Sequence, residues 1–427
     1  MADALLTDHY ELTMVDAALR DGSAMRTAVF QTFCRQLPSG RRYGVAAGLG
    51  RLLPMLVDLR FSAADLDHLA ATRVVSDDTL SWLESYRFSG DVVAYPEGEL
   101  LLPDSPVLTV EASFAEAVVL ETLVLSVLNH DAAVAAAASR MALAARGRTL
   151  LEFGSRRTHE QAAVAAARAA WLVGFDASSN LRAGARHGVP TSGTAAHAFT
   201  LLHESEQEAF AAQVRAAGPG TTLLVDTYDV EQGIRNAVAA AGTGLGAVRI
   251  DSGDLDVEAK RARTLLDELG ATDTRIVVSG DLEEHAIDAL ADAPVDGYGV
   301  GTQLVTGSGA PTANLVYKMV ARSDRAGGPA DVPVSKDSGE KSTHPGRLRA
   351  TRELDEHGTA VAEVLTPWGA PAPEGRPLQV QVVRAGELVH ADTREQVLAR
   401  HRAALAELPD AGRDLGPGDP AIPTLHR

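Results

Sequence analysis

Cysteine and lysine are scarce in this sequence, and each scarcity excludes something. Cys34 is the single cysteine, so neither an internal disulfide nor a zinc site of several thiolates can form. One thiol fits a reducing compartment. Lysine stands only at 260, 318, 336 and 341, which leaves arginine to supply nearly all the basic charge, with a planar fork suited to phosphate and carboxylate. Two nucleotide motifs are missing. There is no G-x-x-x-x-G-K-[ST] loop, and no G-x-G-x-x-G follows a strand-like run and opens a helix. Gly242-Thr-Gly244-Leu-Gly246 reads as a turn before a strand. The first residues, Met1-Ala2-Asp3-Ala4-Leu5-Leu6-Thr7-Asp8, lack the basic and apolar regions of a signal peptide. The longest apolar stretch, around Ala132–Ala138, falls short of the ~18 residues of a membrane span. Positive charge is outnumbered, with 39 Lys and Arg against 57 Asp and Glu and a net charge of −18. Such a chain is a poor general binder of nucleic acid or membrane surfaces. The expectation is a cytoplasmic protein with neither as partner.

The 427 residues suffice for two or three domains, and 45% hydrophobic with 22% charged is an ordinary globular balance. Residues 1–125 look like a mixed α+β domain. Leu5–Arg20 suits an amphipathic helix, Thr27–Phe33 alternates as a strand, and Asp91–Val110 sets Pro and Gly between short apolar runs. Phe114–Arg146, with few breakers, reads as helical. Within 126–325 five apolar runs alternate with helical stretches: Thr149–Gly154, Thr222–Asp226, Gly246–Asp251, Arg275–Gly280 and Gly297–Thr302. That rhythm implies parallel strands in βα units. Each run ends in polar or glycine residues, at the end where a βα barrel keeps its site. An open doubly wound sheet offers its ligand mainly at one crevice, so functional residues on many strand ends favour a barrel. In 326–427 two strand-like pieces, Ala360–Leu365 and Leu378–Arg384, are expected to pack on the N-terminal domain. Gly412–Arg427, rich in Pro and Gly, reads as a loosely ordered tail.

The strand ends carry the candidate chemistry. Glu152-Phe153-Gly154-Ser155-Arg156-Arg157 offers two arginines to an anion and a phenyl ring to a flat one, or else salt-bridges a helix start. Gly193-Thr194-Ala195-Ala196-His197 sets one histidine after small residues that let a ligand close, though a structural histidine looks the same. Arg249-Ile250-Asp251-Ser252-Gly253-Asp254 puts opposite charges on alternate strand residues, which share a face. Asp251 can hold sugar hydroxyls or hydrated Mg²⁺, or merely cap a turn. Ser279-Gly280-Asp281 and Gly299-Val300-Gly301-Thr302 close two late strands, where glycine and a following helix favour a phosphate. These residues describe a barrel enzyme with a phosphate cup, a carboxylate-lined middle and an Arg/Phe anion site. They do not name a reaction.

The ordered set resembles the nicotinate phosphoribosyltransferase family, the type II phosphoribosyltransferases, along nearly the whole chain. It runs from Leu6-Thr-Asp-His-Tyr10-Glu-Leu-Thr-Met14 through Phe30-Gln-Thr-Phe-Cys-Arg35-Gln-Leu-Pro38 and the Glu152–Arg157 motif. Ser178-Ser-Asn180-Leu-Arg-Ala-Gly184, Gly193–His197, Val225-Asp226-Thr-Tyr-Asp229, Val248–Asp254 and Gly299–Thr302 follow. Val316-Tyr-Lys318, Lys336-Asp-Ser338-Gly-Glu-Lys341 and Pro345-Gly346 complete it. The resemblance implies an irregular α/β barrel, an N-terminal α+β sandwich-like domain completed by C-terminal segments, and a homodimer with shared active sites. It implies that the ring nitrogen of nicotinate attacks C1 of phosphoribosyl pyrophosphate, with Mg²⁺ as cofactor and ATP as a co-substrate that phosphorylates His197. By the same resemblance Phe153 and the partner's Tyr10 sandwich the pyridine, Arg156 meets its carboxylate, and Asp226 and Asp251 attend the ribose. Arg249 faces pyrophosphate, Gly280, Asp281, Gly301 and Thr302 cup the 5′-phosphate, and the partner's Arg35 contacts phosphates. No direct metal ligand is assigned. Asn180 is expected to donate to nicotinate where nicotinamide enzymes carry an acidic residue, so Asn180→Asp would move preference toward the amide. Two departures stand out: Ala177 in place of the usual glycine before Ser178, and Ala198 where serine is common.

Three rivals remain on the sequence. Nicotinamide phosphoribosyltransferase is the nearest, opposed by Asn180. A quinolinate phosphoribosyltransferase needs a more basic pocket and no ATP, and the motif around His197 argues against it. A non-catalytic nucleotide-binding paralogue would be expected to have lost His197, Asp251 or the glycine cup.

Overall fold

The computed structural model describes residues 4–336, 344–371 and 373–427. Of the quoted motifs, residues 337–341 lie outside the described residues. The chain forms two compact units: Met1–Ala133 together with Thr312–Arg427, and Val134–Pro311.

The continuous unit is built on one parallel sheet. Its strand order is Ala177–Ser178, Thr149–Glu152, Gly297–Val300, Arg275–Gly280, Ala247–Ile250 and Thr222–Leu224. Every neighbouring pair is parallel. The five runs read from the sequence are the five longer strands. Ile276, Val278, Tyr298 and Val300 are fully buried, as strands covered on both faces require. The two edge strands, Ala177–Ser178 and Thr222–Leu224, do not pair with each other, so the sheet is a half-barrel in a mixed α/β fold. Short turns lead from the strand ends into helices whose first N–H groups are capped by Asn180, Asp229 and Asp254. Side-chain oxygens there satisfy donors that have no helical partner, and the caps hold the turns that carry the functional residues.

The discontinuous unit holds a seven-stranded antiparallel sheet. Its order is Val332–Pro333, Leu315–Ala326, Arg26–Cys34, Leu108–Ser113, Asp91–Ala94, Val380–Arg384 and Glu387–Leu388. Segments beyond residue 312 therefore complete the sheet begun at Arg26. A second sheet runs Arg376–Pro377, Leu348–Leu354, Ala360–Pro367 and Thr424–His426. A buried polar network underlies it. Glu363 accepts from Arg352 Nη2 at 3.0 Å, Tyr95 Oη at 2.7 Å and Ser105 Oγ at 2.5 Å, while Arg376 bridges Glu99 and Glu407, each at 2.6 Å. Removing one partner of such a network strands a buried charge, which costs more than the intact pair contributes.

Two expectations are corrected. The tail after Gly412 is not loose. Its Thr424–His426 strand pairs in parallel with Glu363–Leu365, and Thr424 Oγ donates to the Pro103 carbonyl at 2.8 Å. Backbone pairing outweighs a Pro/Gly-rich composition there. One helical stretch, Phe114–Ala145, is in fact long and apolar enough to cross a membrane, with 67% of its apolar window buried in the protein. Ser126, Asn129, His130 and Asp131 break the continuous run but not the window average.

His401 in the discontinuous unit is 1% exposed. Burial pushes its pKa from 6.5 down to about 4, and Nδ1 lies 3.0 Å from the Gly98 carbonyl. A depressed folded pKa means that its contribution to stability is full above the unfolded value and drains away as pH falls toward 4. Between about pH 7 and about pH 5 the loss should reach about 2 kcal/mol. Denaturant unfolding at both pH values should show His401→Gln less stable at neutral pH but losing less on acidification.

Candidate active site

The strand ends of the half-barrel meet around a cleft of about 470 Å³. Phe153, Ser155, Arg156, Ser179, His197, Arg249 and Asp251 line it together with the small residues Gly193–Ala196 and Ala198. Five residues singled out from the sequence thus share one wall: Phe153, Arg156, His197, Arg249 and Asp251.

Asp226 lies behind them. Its side chain is 1% exposed and its oxygens are fully engaged. Oδ1 is 3.1 Å from His197 Nε2, and Oδ2 accepts from Asp251 N at 2.8 Å and Ser252 Oγ at 2.7 Å. Asp226 thus stands behind the cleft wall, in contact with His197 and the Asp251 turn. It is a positioning residue that fixes the His197 ring and the Asp251 turn at once. Asp251 is one-third exposed. Its Oδ1 accepts from Ser279 Oγ, and among the described residues Oδ2 accepts no hydrogen bond, so one carboxylate oxygen faces the cleft unspent. Arg249 Nη2 lies 3.9 Å from Asp251 Oδ1, and its guanidinium lies over the Phe153 ring, 5.7 Å from the centroid. Arg249 Nε is buried without a partner among the described residues, a donor awaiting an acceptor.

Glu152 ties two neighbouring strand-end turns together. Its carboxylate is buried and accepts from Gly154 N and from Ser178 Oγ. Ser178 Oγ in turn accepts from Asn180 N at 2.9 Å, and Ser179 N donates to the Glu152 carbonyl at 2.9 Å. Burial raises the Glu152 pKa, and the two hydrogen bonds oppose that rise. Asn180 does not line the cleft. Its Oδ1 accepts from Ala183 N at 2.9 Å and its Nδ2 donates to Ser155 Oγ at 3.0 Å. The position before a helix claims the amide as a cap, and Ser155 and Ser179 take its place on the wall.

Gly280, Asp281, Gly301 and Thr302 stand on the neighbouring ends of paired strands, with Gly280 opposite Val300, but outside the wall of the cleft. Gly280 adopts φ +143, a region side chains disfavour. Tyr10 and Arg35 belong to the discontinuous unit. Glu152, Ser155, Ser252 and Ser279 were given no role of their own from the sequence. Their shared signal was a carboxylate or hydroxyl directly beside a functional residue in a strand-end turn.

Comparison with known proteins points one way. The family model described as the nicotinate phosphoribosyltransferase (NAPRTase) N-terminal domain matches residues 5–129. The nicotinate phosphoribosyltransferase pncB1 of Mycobacterium tuberculosis is 57% identical, covering 98% of this chain and 94% of its own. That of Bacillus subtilis is 37% identical, covering 83% and 74%. The crystal structure of human nicotinic acid phosphoribosyltransferase superposes with a TM-score of 0.84 at 25% identity, over 97% of this chain and 96% of that one. A nicotinate-nucleotide pyrophosphorylase from Pyrococcus furiosus shares the fold, with a TM-score of 0.77 at 23% identity.

Glu152 gives the sharpest test of this geometry. Glu152→Ala strands the Gly154 N–H and the Ser178 hydroxyl in a buried place, at a cost of about 2–4 kcal/mol. Glu152→Gln keeps one acceptor and should cost about 1 kcal/mol. Thermal unfolding should rank native, Gln and Ala in that order; equal stability of all three would show that the two turns are held by other contacts.

Proposed function

The chain belongs to the nicotinate phosphoribosyltransferase family, and we propose that its cleft joins nicotinic acid to the phosphoribosyl group of phosphoribosyl pyrophosphate in NAD salvage. The observation that carries this reading is the convergence of Phe153, Arg156, His197, Arg249 and Asp251 on one wall. The pyridine lies against Phe153, and Arg156 pairs with its carboxylate through a two-pronged fork. Arg249 offers its unpartnered Nε to a phosphate oxygen. The ring nitrogen bonds to C1 as the C1–O bond to pyrophosphate breaks, and the unspent oxygen of Asp251 faces the positive charge that develops there. Gly280, Asp281, Gly301 and Thr302 receive the 5′-phosphate. The half-barrel is the framework of the irregular barrel expected from the sequence.

The donor set suits Mg²⁺ bound mainly through its substrate. Both Asp226 oxygens already accept hydrogen bonds, whereas Asp251 Oδ2 accepts none among the described residues, and Mg²⁺ is ordinarily held by one or two carboxylates with phosphates and water. Held there, Mg²⁺ would supply positive charge to the leaving pyrophosphate. His197 suits the role of phosphoryl acceptor from ATP. Asp226 engages Nε2, which leaves Nδ1 of a side chain 40% exposed to form the N–P bond as the terminal P–O bond of ATP breaks. Phosphorylation adds nearly two negative charges beside the substrate. Nicotinamide phosphoribosyltransferase is the second reading, since Asn180, spent as a cap, does not itself discriminate acid from amide. A cytoplasmic location accords with a single, buried, unpaired thiol at Cys34.

Two features support a homodimer with shared sites. Leu181, Leu201, Leu202 and Tyr228 are all more than 60% exposed in the turns and helices that leave the strand ends, and exposed apolar surface of this kind fits a partner's cover. Tyr10 is 45% exposed. Partial burial, with Glu121 and Glu11 nearby, pushes its hydroxyl up to about 12, so a neutral ring is available to a partner's pyridine.

Purified protein given phosphoribosyl pyrophosphate and Mg²⁺ should consume nicotinate in preference to nicotinamide. ATP should stimulate the reaction, and His197→Ala should abolish the stimulation. Turnover of neither pyridine would overturn the reading; preference for nicotinamide would move it to the amide enzyme. Mixing inactive Tyr10→Ala with inactive Asp251→Asn should restore up to about a quarter of native activity, because hybrid dimers contain one intact site. No recovery after subunit exchange would mean that Tyr10 serves its own chain.

A further inference from the structure

Asp104, His344 and His426 come from three distant parts of the discontinuous unit, yet their ligand atoms lie within 4.8 Å of one another. The backbone builds this meeting. Asp104 N donates to the Cys34 carbonyl at 2.7 Å, and Gly346 N, two residues past His344, donates to the Val320 carbonyl at 2.8 Å. The last strand sets His426 opposite Leu365, and its Thr424 is bonded to Pro103, the residue before Asp104. Asp104 itself adopts φ +63, a left-handed conformation that costs a non-glycine residue free energy and collects at functional positions.

The side chains are uncommitted. The Asp104 carboxylate has no donor at ordinary hydrogen-bond distance among the described residues; its nearest partner is His426 Nε2 at 3.9 Å. The His344 and His426 rings stack with centroids 3.7 Å apart, and no other described contact explains that pairing. The second grouping of possible ligands, Glu283, Glu284 and His285, differs in this respect. Glu283 caps a helix through His285 N and Ala286 N, and Glu284 is spent on Arg140 and Ser308.

We propose that Asp104, His344 and His426 bind one dication of the zinc type, with water completing the coordination. Two imidazole nitrogens and one carboxylate oxygen select Zn²⁺, Co²⁺ or Ni²⁺ over Mg²⁺ and Ca²⁺. Both histidines are exposed, so the ion has access and the rings can turn out of the stack to meet it. Arg35, close enough to act on Asp104 electrostatically, opposes a cation, which makes the carboxylate indispensable. The bound ion clasps the C-terminal strand to the Asp104 turn and to the segment entering Pro345, and stabilises that arrangement by mass action. Its test needs none of the substrates of the reaction proposed for the cleft.

The test is Co²⁺ titration of the chelator-stripped, full-length protein without phosphoribosyl pyrophosphate, read by visible absorption. One Co²⁺ per chain with the intense bands of four-coordinate cobalt is expected, displaced by Zn²⁺. Loss of a group that merely hydrogen-bonds to a metal ligand already costs roughly 10–100-fold in affinity, so His426→Gln and Asp104→Asn should each cost at least roughly tenfold. Asp251→Asn should leave the titration unchanged. A weak six-coordinate spectrum, or equal affinity in both ligand variants, overturns the proposal. Should a variant misfold, proton NMR of the unaltered Co²⁺-loaded protein decides: two shifted, exchangeable imidazole N–H signals support the site, and their absence overturns it.

Discussion

A single buried carboxylate, that of Asp226, sets the geometry on which the cleft depends. It lies at the end of a parallel strand with 1% of its side chain exposed and has no arginine or lysine for a partner among the described residues. Taking a carboxylate out of water costs several kcal/mol, and hydrogen bonds to a charged acceptor return about 1.5–3 kcal/mol each. Asp226 therefore holds three donors firmly: His197 Nε2, the Asp251 backbone and the Ser252 hydroxyl. They come from two separate segments, the start of the His197 helix and the Asp251–Ser252 turn. His197 and the Asp251 turn cannot shift independently while that charge stays buried.

Glu152 repeats the device one pair of strands away. It too is buried, and it joins the Phe153 turn to the Ser178–Asn180 turn through Gly154 N and Ser178 Oγ. Close packing then leaves no slack. A Cβ on Gly299 would come within 2.6 Å of the Phe153 ring, and one on Gly154 would meet Val305 at 2.3 Å and the Gly301 carbonyl at 3.0 Å. The flat wall offered to a ring is thus shaped by glycines in the adjoining strand as much as by the phenylalanine itself.

The parallel sheet, though not its closure, was legible in the sequence because parallel strands buried on both faces are written as unbroken apolar runs, and the candidate site residues stand where those runs stop. Arg249 and Asp251 could be placed on one face by alternation alone. The tasks of Asp226 and Asn180 could not. Whether a carboxylate faces a substrate or stands behind a histidine depends on depth, which periodicity does not encode. Asn180 is at once a motif residue and a helix cap, and only the turn geometry shows that the cap claims its amide. The ordered C-terminal strand was hidden for a similar reason, since its partner Glu363–Leu365 lies some sixty residues away and composition says nothing about pairing.

Charge completes the argument. The chain carries −18, yet the reaction proposed for it handles a carboxylate and a heavily charged pyrophosphate ester. The wall of the cleft offers Arg156 and Arg249 against Asp251, a surplus of one positive charge before any contribution from His197. A sugar bearing a phosphate and a pyrophosphate brings several negative charges, so these residues alone leave the bound substrate far from neutral. Further cations must enter with it or come from outside the wall, which is the physical reason that Mg²⁺ and a partner's Arg35 belong to the reading. A phosphoryl group on His197 would add nearly two more negative charges and place it in competition with pyrophosphate for the same few cations. Such competition weakens the hold on the leaving group, and it gives ATP a route to drive the reaction forward without touching the pyridine.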